Sequence, residues 1–401
     1  MAPLTNGDYR GKTVLVTGGT GFVGGRLAER LILEEHAQVR VLVRNWNKAV
    51  WISRTPVELV PGTMLDPAAL EQACQGVQIV FHCASGGNSD AEYLSTNIDG
   101  TRFLLEAVKK AGAERFVFVS SIAVHGPAAP DNANESAPYE SWNRGYSDSK
   151  IAAEKLVLQF GKEHNLAVTI LRPTFIWGPR SHLFTVRPLR AMRDNTFRLI
   201  DHGQGDCHAV YVDNLVDALL LAGIRPEAIG EPFLITDGYG ITWKTFFEEH
   251  ARWLGRTGEL PSLSGNSNWS RFSSWAFETL GGKLQRWQGN PAPLWRKICR
   301  RSARIVQQAL ERRGAMNRWD VLKFARVGRL DTSKAREKLG YQPRWDFATA
   351  LQDTHQWVQD QLGHELGLGE MLDQGSTLPD SRGQVVHVTG SIDEDASRPE
   401  N

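Results

Sequence analysis

A tyrosine and a lysine stand four residues apart in the stretch RGYSDSKIAAEK, at Tyr146 and Lys150. Residues at positions i and i+4 share one face of a helix, so the ammonium group can lie beside the phenol. A free phenol has a pKa of about 10 and exchanges protons poorly at neutral pH, whereas a neighbouring cation favours the phenolate. The pair is therefore suited to acid/base chemistry. Because such a pair also arises by chance, the rest of the chain must decide whether it acts.

The composition is that of a globular protein, with 401 residues of which 41% are hydrophobic and 23% charged. The net charge of +1 gives no support for nucleic acid as a partner, and no known nucleic-acid-binding module appears. No apolar run reaches the roughly 18 residues that a membrane span needs. The four cysteines are widely spaced, which indicates reduced thiols and no metal site. We expect a cytoplasmic protein, with peripheral membrane association as an open alternative.

Short β-branched segments alternate with amphipathic helical patterns over the first 240 residues. This alternation predicts an α/β fold built on a doubly wound parallel sheet with helices on both faces. Two predicted helices have clear end signals, Asp66-Pro67 as an N-cap followed by a first-turn proline, and Gly112 just past a C-terminus. The predicted strands cover residues 13–17, 39–43, 57–60, 78–82, 115–120 and 168–172.

Three glycines follow the first predicted strand in VLVTGGTGFVGG, at Gly18, Gly21 and Gly24. Between a strand and a helix, one glycine makes the turn, one lets the backbone approach a pyrophosphate, and one lets helix and strand pack closely. The amide groups that begin the helix then face the phosphates. The pattern predicts a Rossmann-type dinucleotide-binding domain.

Arg44 stands where the second predicted strand ends, in VRVLVRNWNK, with Lys48 just behind it. An acidic residue at this position accepts a hydrogen bond from the ribose 2′-hydroxyl of NAD, whereas an arginine accommodates the 2′-phosphate of NADP. The segment contains no carboxylate, and cations pair well with phosphate. We therefore predict NADP(H) in preference to NAD(H).

An ordered set of motifs resembles the extended short-chain dehydrogenase/reductase family of the epimerase/dehydratase type. Within this family, the chain looks most like 3β-hydroxysteroid dehydrogenase-like and ketoreductase members. The resemblance covers roughly residues 10–240 and 328–360. Its motifs are TGGTGFVG at 17–24, FHCAS at 81–85, NIDGT at 97–101, VSSIAVHG at 119–126, YSDSK at 146–150, LRPTFIWGP at 171–179, VYVDN at 210–214 and LDTSKAREKLGYQP at 330–343.

The resemblance implies a Ser-Tyr-Lys catalytic site. Tyr146 would be the acid/base, Lys150 would tune its pKa and bind the nicotinamide ribose, and Ser121 would hold the substrate oxygen. The predicted substrate-binding residues are Ser121, Trp142, Phe175 and Trp177; the three aromatic side chains suit an apolar ligand, and the alternative is that they only fill the core. The predicted cofactor-binding residues are Gly18, Thr20, Gly21, Phe22, Val23, Gly24, Arg44, Lys48, Thr63, Met64, Ala84, Ser85, Ser120, Tyr146, Lys150, Pro173 and Thr174.

Three further side chains in these motifs have weaker functional claims. Asn97 resembles a helix asparagine that shapes the active site in the family. An equal alternative is that its side chain only forms hydrogen bonds with nearby backbone groups. His82 and His125 are assigned to structure because nothing in the sequence pairs either of them with a second ligand.

Departures from relatives narrow the reaction. Dehydratases of the family carry an Asp-Glu pair just after the catalytic hydroxyl, where this chain has Ile122 and Ala123. Many nucleotide-sugar members hold the substrate diphosphate with an arginine, where this chain has Cys207.

Other arginines could replace the missing one, namely Arg180, Arg187 or Arg190. We expect interconversion of a ketone and a secondary alcohol on a fairly apolar small molecule, such as a steroid-like, polyketide-like or acyl-type substrate. The alternatives are a nucleotide-sugar 4-epimerase with tightly bound NAD and a non-catalytic nucleotide-sensing scaffold. Homodimers are common in the family, so a homodimer is also possible here.

We expect residues 10–178 to form the dinucleotide-binding domain, with residues 207–236 contributing to it. Residues 179–370 are expected to form a smaller, mostly helical substrate-binding region. The polar segment 375–401 is expected to be a disordered tail.

A basic insert rich in tryptophan and arginine spans residues 243–330 of the substrate-binding region. Within it, residues 294–313 have the pattern of a basic amphipathic helix. Such a helix suits a membrane surface or an acidic partner such as an acyl carrier protein. The alternative is a helix docked on the fold with a solvated basic face.

Overall fold

The computed structural model describes residues 5, 7–86, 89–127, 131–141, 145–264, 322 and 324–368, and two dipeptide strands at 378–379 and 385–386. The predicted contact through Trp142, the predicted helix at 294–313 and almost all of the predicted tail at 375–401 lie outside these residues. Within the described part of the chain, no helix is both long and apolar enough to cross a lipid bilayer.

The strands and helices follow the predicted alternation through the first two thirds of the chain. The strands are β1 (Thr13–Thr17), β2 (Gln38–Val43), β3 (Glu58–Pro61), β4 (Ile79–His82), β5 (Arg115–Val119), β6 (Ala167–Pro173), β7 (Phe175–Trp177), β8 (Leu199–Ile200), β9 (Ala209–Tyr211), β10 (Pro232–Ile235), β11 (Ser262–Leu263), β12 (Leu378–Pro379) and β13 (Val385–Val386). The α-helices are α1 (Phe22–Leu33), α2 (Pro67–Cys74), α3 (Asp90–Leu94), α4 (Gly100–Ala111), α5 (Gly145–His164), α6 (Arg187–Arg193), α7 (Val212–Ile224), α8 (Trp243–Trp253) and α9 (Phe347–Leu366).

Seven parallel strands form the central sheet in the spatial order β3-β2-β1-β4-β5-β6-β10. One apolar core lies on the face covered by α1 and α7, and another lies on the face covered by α2, α4 and α5. Strands buried on both faces read as continuous apolar runs, as β5 does with all five of its residues buried. The predicted Rossmann-type doubly wound α/β fold is therefore confirmed.

The predicted helix-end signals act as expected. The Asp66 side chain accepts from the Ala69 amide at 3.1 Å, with Pro67 in the first turn of α2. Gly112 ends α4 in the left-handed conformation, at φ 69°. These local signals fix where α2 begins and where α4 ends.

A third apolar core lies beyond the sheet and is built from aromatic side chains of β7, β9, α8 and α9, together with Leu189 and Met192 of α6. Its largest fully buried side chains include Trp177, Tyr211, Trp243 and Phe246. This aromatic core supports the wall opposite the carboxyl ends of the sheet strands.

The strand order reverses between β1 and β4, because the chain fills one side of the sheet with β2 and β3 before it crosses to the other. In open α/β sheets, ligands bind in the crevice at the carboxyl ends of the strands at such a switch point. The residues that follow β1, β4, β5 and β6 therefore meet at one edge.

Candidate active site

The glycine turn after β1 is packed so closely that side chains would not fit. Gly18 has φ 73°, and a Cβ there would lie 2.7 Å from the Ala84 backbone nitrogen. A Cβ at Gly24 would lie 2.5 Å from the Gly18 carbonyl oxygen. The turn thus brings bare backbone amides to the start of α1, which is the cradle that a dinucleotide pyrophosphate needs.

The cleft beside this turn contains a buried hydroxyl that the protein itself does not satisfy. Ser120, directly after β5, is 3% exposed, and within the described part of the chain its Oγ has no hydrogen-bond partner. A buried polar atom without a partner is rare and points to a ligand or water. Together with the glycine cradle, this hydroxyl shows that the residues present fit a bound dinucleotide.

The remaining predicted cofactor residues lie along the same edge of the sheet. Thr20, Phe22 and Val23 belong to the glycine turn and the first turn of α1, and Ala84 and Ser85 follow β4. Pro173 ends β6, and the Thr174 amide and hydroxyl both donate to the Ile235 carbonyl of β10, at 3.0 and 3.2 Å.

At the adenosine end, β2 and β3 are neighbours, and the predicted residues follow them. Arg44 directly follows β2 and is exposed, and Lys48 ends a 3₁₀ turn next to it and is also exposed. After β3, the Thr63 hydroxyl accepts from the Leu65 amide at 3.2 Å, and Met64 is buried. Two exposed cations therefore follow β2, and their contact with a 2′-phosphate stays a prediction.

The structure brings Ser121 and Tyr146 together through a hydrogen bond between their side chains. Ser121 follows β5, and Tyr146 is the second residue of α5. Tyr146 is 36% exposed and lines a cavity. Its surroundings raise the pKa of Tyr146 above the usual phenol value, because desolvation outweighs the Ser121 hydrogen bond, which lowers it.

Lys150 lies one turn further along α5 and is 3% exposed. Its Nζ donates to the Val119 carbonyl at 2.7 Å and lies 4.9 Å from the centre of the Phe118 ring. Burial lowers the pKa of Lys150 to about 8, against the opposing influence of Cys83 and Glu154. The ammonium is thus held against β5, and its tuning of Tyr146 in the presence of nicotinamide stays a prediction.

Helix α3 fixes the N-terminus of the helix that carries Tyr146. The Asp90 carboxylate accepts from the Gly145 amide at 3.1 Å, and a Cβ on Gly145 would lie 2.4 Å from the Asp90 Cα. The Tyr93 ring meets Tyr146 edge-on, with 5.6 Å between ring centres. Sequence reasoning missed Asp90 and Tyr93, because only the fold brings α3 against α5.

Asn97 forms a hydrogen bond with a backbone amide and also contacts the helix that carries Tyr146. Its Nδ2 donates to Ser149 Oγ at 2.9 Å, and its Oδ1 accepts from the Gly86 amide at 3.4 Å. Ser149 in turn donates to the Tyr146 carbonyl at 2.8 Å. Asn97 thereby links the loop after β4 to the first turn of α5.

Both histidines in the motifs are structural. His82 is fully buried between the hydroxyls of Thr17 and Thr101, at 2.7 and 2.9 Å, and burial lowers its pKa to about 3. His125 accepts from the Arg172 guanidinium at 3.0 Å, and burial lowers its pKa as well. Neither ring offers a proton to the cavity.

A cavity of about 570 Å³ opens beside Ser121 and Tyr146, and its wall is mainly apolar. The side facing the sheet contributes Ile122 and Phe175, and the opposite side contributes Phe184 and Leu330. Trp177, predicted to bind substrate, is instead fully buried against Tyr211 and Phe246 in the aromatic core. It supports the cavity wall from behind and is not part of it.

Two of the three arginines that could replace the missing diphosphate contact lie away from the main cavity, whereas Arg326, which the sequence did not single out, lines it. Cys207 is buried, and Arg190 pairs with Glu365 on the surface at 2.6 Å. Arg187 lines a different cavity. Arg180 does line the main cavity, where its guanidinium lies 3.9 Å from the centre of a Trp51 ring.

Three features meet at one edge of the sheet: the glycine-rich cradle, the buried Ser120 hydroxyl, and the set of Ser121, Tyr146 and Lys150. Together they are typical of a dinucleotide-dependent enzyme. Residues 14–235 match the model of the NAD dependent epimerase/dehydratase family. The chain therefore belongs to this family, and it is an NAD(P)-dependent enzyme of the extended short-chain dehydrogenase/reductase type. The resemblance drawn from the motifs is confirmed.

Two curated relatives are oxidoreductases. A 4-hydroxy-2-methyl-3-oxo-4-farnesyl-3,4-dihydroquinoline-1-oxide ketoreductase of Stigmatella aurantiaca is 32% identical over 236 residues, 58% of this chain and 70% of the relative. A 3 beta-hydroxysteroid dehydrogenase/Delta 5-->4-isomerase of Mycobacterium tuberculosis is 27% identical over 357 residues, 84% of this chain and 88% of the relative.

A solved UDP-glucose 4-epimerase of Thermotoga maritima superposes with a TM-score of 0.64 at 22% identity, covering 87% of this chain and 99% of that one. At this identity the likeness shows the fold alone.

The contact between Gly145 and Asp90 leads to a prediction. Gly145→Ala places a Cβ against the backbone of α3, so the first turn of α5 must move and Tyr146 moves with it. We expect kcat/KM to fall at least tenfold, because small misplacements of a reacting group are costly, while the Kd for the reduced cofactor stays within about twofold.

The matched control is Gly363→Ala in α9, where a Cβ meets no atom within 4 Å. This control should retain full activity and the parent melting temperature or a higher one. Full activity of Gly145→Ala would show that α3 does not position Tyr146.

Proposed function

We propose that the protein interconverts a ketone and a secondary alcohol on an apolar substrate, with NADP(H) as the hydride carrier. The observation that carries this proposal is the Ser121–Tyr146 hydrogen bond at the wall of a mainly apolar cavity of about 570 Å³. Such a cavity suits a small molecule whose only essential polar group is the reacting oxygen.

In the reducing direction, the substrate carbonyl oxygen accepts from the hydroxyls of Ser121 and Tyr146. When bound, NADPH supplies the hydride to the carbonyl carbon. Tyr146 donates its proton to the oxygen as negative charge develops there, and Ser121 stabilises that charge. The raised pKa of Tyr146 keeps the phenol protonated at neutral pH, as a proton donor requires.

Lys150 supports the proton transfer from one helical turn away. Its ammonium donates to the Val119 carbonyl, and in this proposal it also binds a ribose hydroxyl of the cofactor and stabilises the phenolate that Tyr146 becomes. A buried cation is effective here because the local dielectric is low.

The site supports ketone reduction better than the two alternatives. Sugar-nucleotide chemistry needs polar contacts for hydroxyls and a clamp for the diphosphate, whereas the wall is mainly apolar and Cys207 is buried. A protein that only senses a nucleotide does not need the hydrogen bond between the Tyr146 phenol and the Ser121 hydroxyl at the cavity wall. The names of the two curated relatives, a ketoreductase and a hydroxysteroid dehydrogenase, agree with carbonyl chemistry on apolar ligands.

Tyr146→Phe tests the proton donor. Removing the hydroxyl should lower kcat for ketone reduction by about 10²- to 10⁴-fold, the usual contribution of a general acid. NADPH affinity, measured by fluorescence titration, should stay near that of the parent. Full turnover in this variant would remove Tyr146 from the chemistry.

Ketone reduction should depend on pH through Lys150. The pKa of Lys150 is lowered to about 8, so its ammonium is present below that pH and lost as the pH rises through it. We expect kcat/KM to be flat below pH 8 and to fall above it, since this ratio reports the free enzyme.

Lys150→Met should lower the rate and remove the inflection near pH 8 that is expected of the parent enzyme. Lys155→Met, a change on the exposed face of the same helix, should keep it. An unchanged inflection in Lys150→Met would assign it to another group.

Arg44→Ala tests the cofactor preference. If Arg44 binds the 2′-phosphate, its loss removes a charge-assisted hydrogen bond, and the Kd for NADPH should rise by roughly 10- to 100-fold. The Kd for NADH should not change. Arg10→Ala, an exposed arginine before β1 at the opposite edge of the sheet, is the control for general charge effects. Equal affinities of the parent for NADH and NADPH would overturn the preference.

A further inference from the structure

A second cavity of about 230 Å³ adjoins the substrate cavity, and none of the chemistry above uses it. The two cavities share two wall residues, Leu183 and Phe184. The rest of the second wall is mainly apolar and comes from α6, β8, α8 and the segments near them. Its apolar residues include Pro188, Ala191, Phe197, Leu199, Trp243 and Phe247.

A short π-helical turn, His182–Val186, divides the two cavities. It is anchored at both ends, because Ser181 Oγ donates to the Ile176 carbonyl and Thr185 Oγ1 donates to the Gly178 carbonyl, each at 3.0 Å. Between these buried anchors, the Leu183 side chain is 62% exposed. A fixed turn with an accessible apolar tip can guide a ligand without closing its path, and π-helical turns are frequent at functional sites.

Phe184 joins the apolar surfaces of the two cavities. Its ring centre lies 5.5 Å from that of Phe175 in the first cavity and 6.0 Å from that of Trp243 in the second. The Phe184 and Trp243 rings are nearly parallel, at 21°. A ligand that leaves the first cavity past Phe184 therefore stays on apolar surface.

In the described part of the chain, the charged side chains in the second wall are two arginines, Arg187 and Arg198. Within the described residues, neither cavity has an Asp or Glu in its wall. The Arg198 guanidinium is bound to the Asn195 and Phe197 carbonyls, at 2.8 and 2.6 Å, and is part of the wall structure. Arg187 is exposed at the rim.

We propose that the turn His182–Val186 divides one elongated groove, and that the substrate is a ketone or alcohol with a long, flexible apolar chain. The reacting carbon lies at Tyr146, and the chain passes Leu183 and Phe184 into the second cavity. The position of the reacting carbon rests on the proposed function. The groove itself rests on the two cavities and their shared wall.

The groove can be tested by measuring kcat/KM of the full-length protein with NADPH for a series of methyl ketones. The series is 2-octanone, 2-decanone, 2-dodecanone and 2-tetradecanone. Each methylene that enters an apolar wall should raise kcat/KM about fourfold. In Ala191→Trp, the indole fills the second cavity, so the ratio of 2-tetradecanone to 2-octanone should fall at least tenfold. Turnover of 2-octanone should stay within about twofold of the parent, which also shows that the variant folds.

Two further variants sharpen this test. Ala191→Leu should give an intermediate chain-length dependence. Ala348→Trp makes the same substitution on an exposed position of α9 that lines neither cavity, and it should match the parent. The inference is overturned if Ala191→Trp keeps the parent chain-length dependence, or if the parent shows no gain beyond 2-octanone.

Equilibrium dialysis of 2-octanone and 2-tetradecanone against the protein with NADP⁺ separates this inference from the proposed function. Chain-length-dependent binding that Ala191→Trp abolishes supports the groove, even if the parent reduces neither ketone and the proposed function fails. Turnover of 2-octanone without tighter binding of 2-tetradecanone overturns the groove and leaves the proposed function standing.

Discussion

The buried ion pair between Glu154 of α5 and Arg172 of β6 fixes the position of α5, which carries Tyr146 and Lys150, on the sheet. The two groups are 2.6 Å apart and at most 2% exposed as residues. Removing one partner of such a pair costs about 3–5 kcal/mol, because the other charge stays buried without compensation. Glu154 lies one turn beyond Lys150, and Pro173 directly follows Arg172. The same pair therefore fixes both the acid/base helix and the strand end predicted to face nicotinamide.

Desolvation moves the pKa values of Tyr146 and Lys150 in directions that suit the proposed reduction. Desolvation disfavours whichever form is charged, so it raises the pKa of Tyr146 and lowers that of Lys150. The protein alone thus holds Tyr146 as a neutral phenol. Alcohol oxidation needs the phenolate instead, and a nearby positive charge must then offset the desolvation. The balance between the two directions depends on which charges the occupied cleft contains.

Local signals in the sequence predicted the parts of the site that depend on backbone geometry. Gly18 and Gly24 are needed because atoms approach within 3 Å, and Tyr146 and Lys150 follow from helical spacing. The sequence did not reveal which partners meet across the fold, such as Asp90 against Gly145. Phe175 and Trp177 share one face of β7, yet only Phe175 reaches the cavity, because α8 and α9 cover Trp177. The strand β10 (Pro232–Ile235) was not among the predicted strands either.

Most of the substrate cavity wall comes from the part of the chain that matches the family, and a smaller part comes from a segment beyond it. The match ends at residue 235, whereas Arg326 and Leu330 help to close the substrate cavity. Their segment is held by two carboxylates: Asp206 accepts from the Gly328 amide at 2.7 Å, and Asp131 accepts from the Arg329 amide at 2.6 Å. Carboxylates committed to backbone amides are not offered to a substrate as a second acid or base. Among the described residues, no Asp or Glu lines the substrate cavity, which agrees with the proposed carbonyl reduction, because elimination needs a separate acid and base.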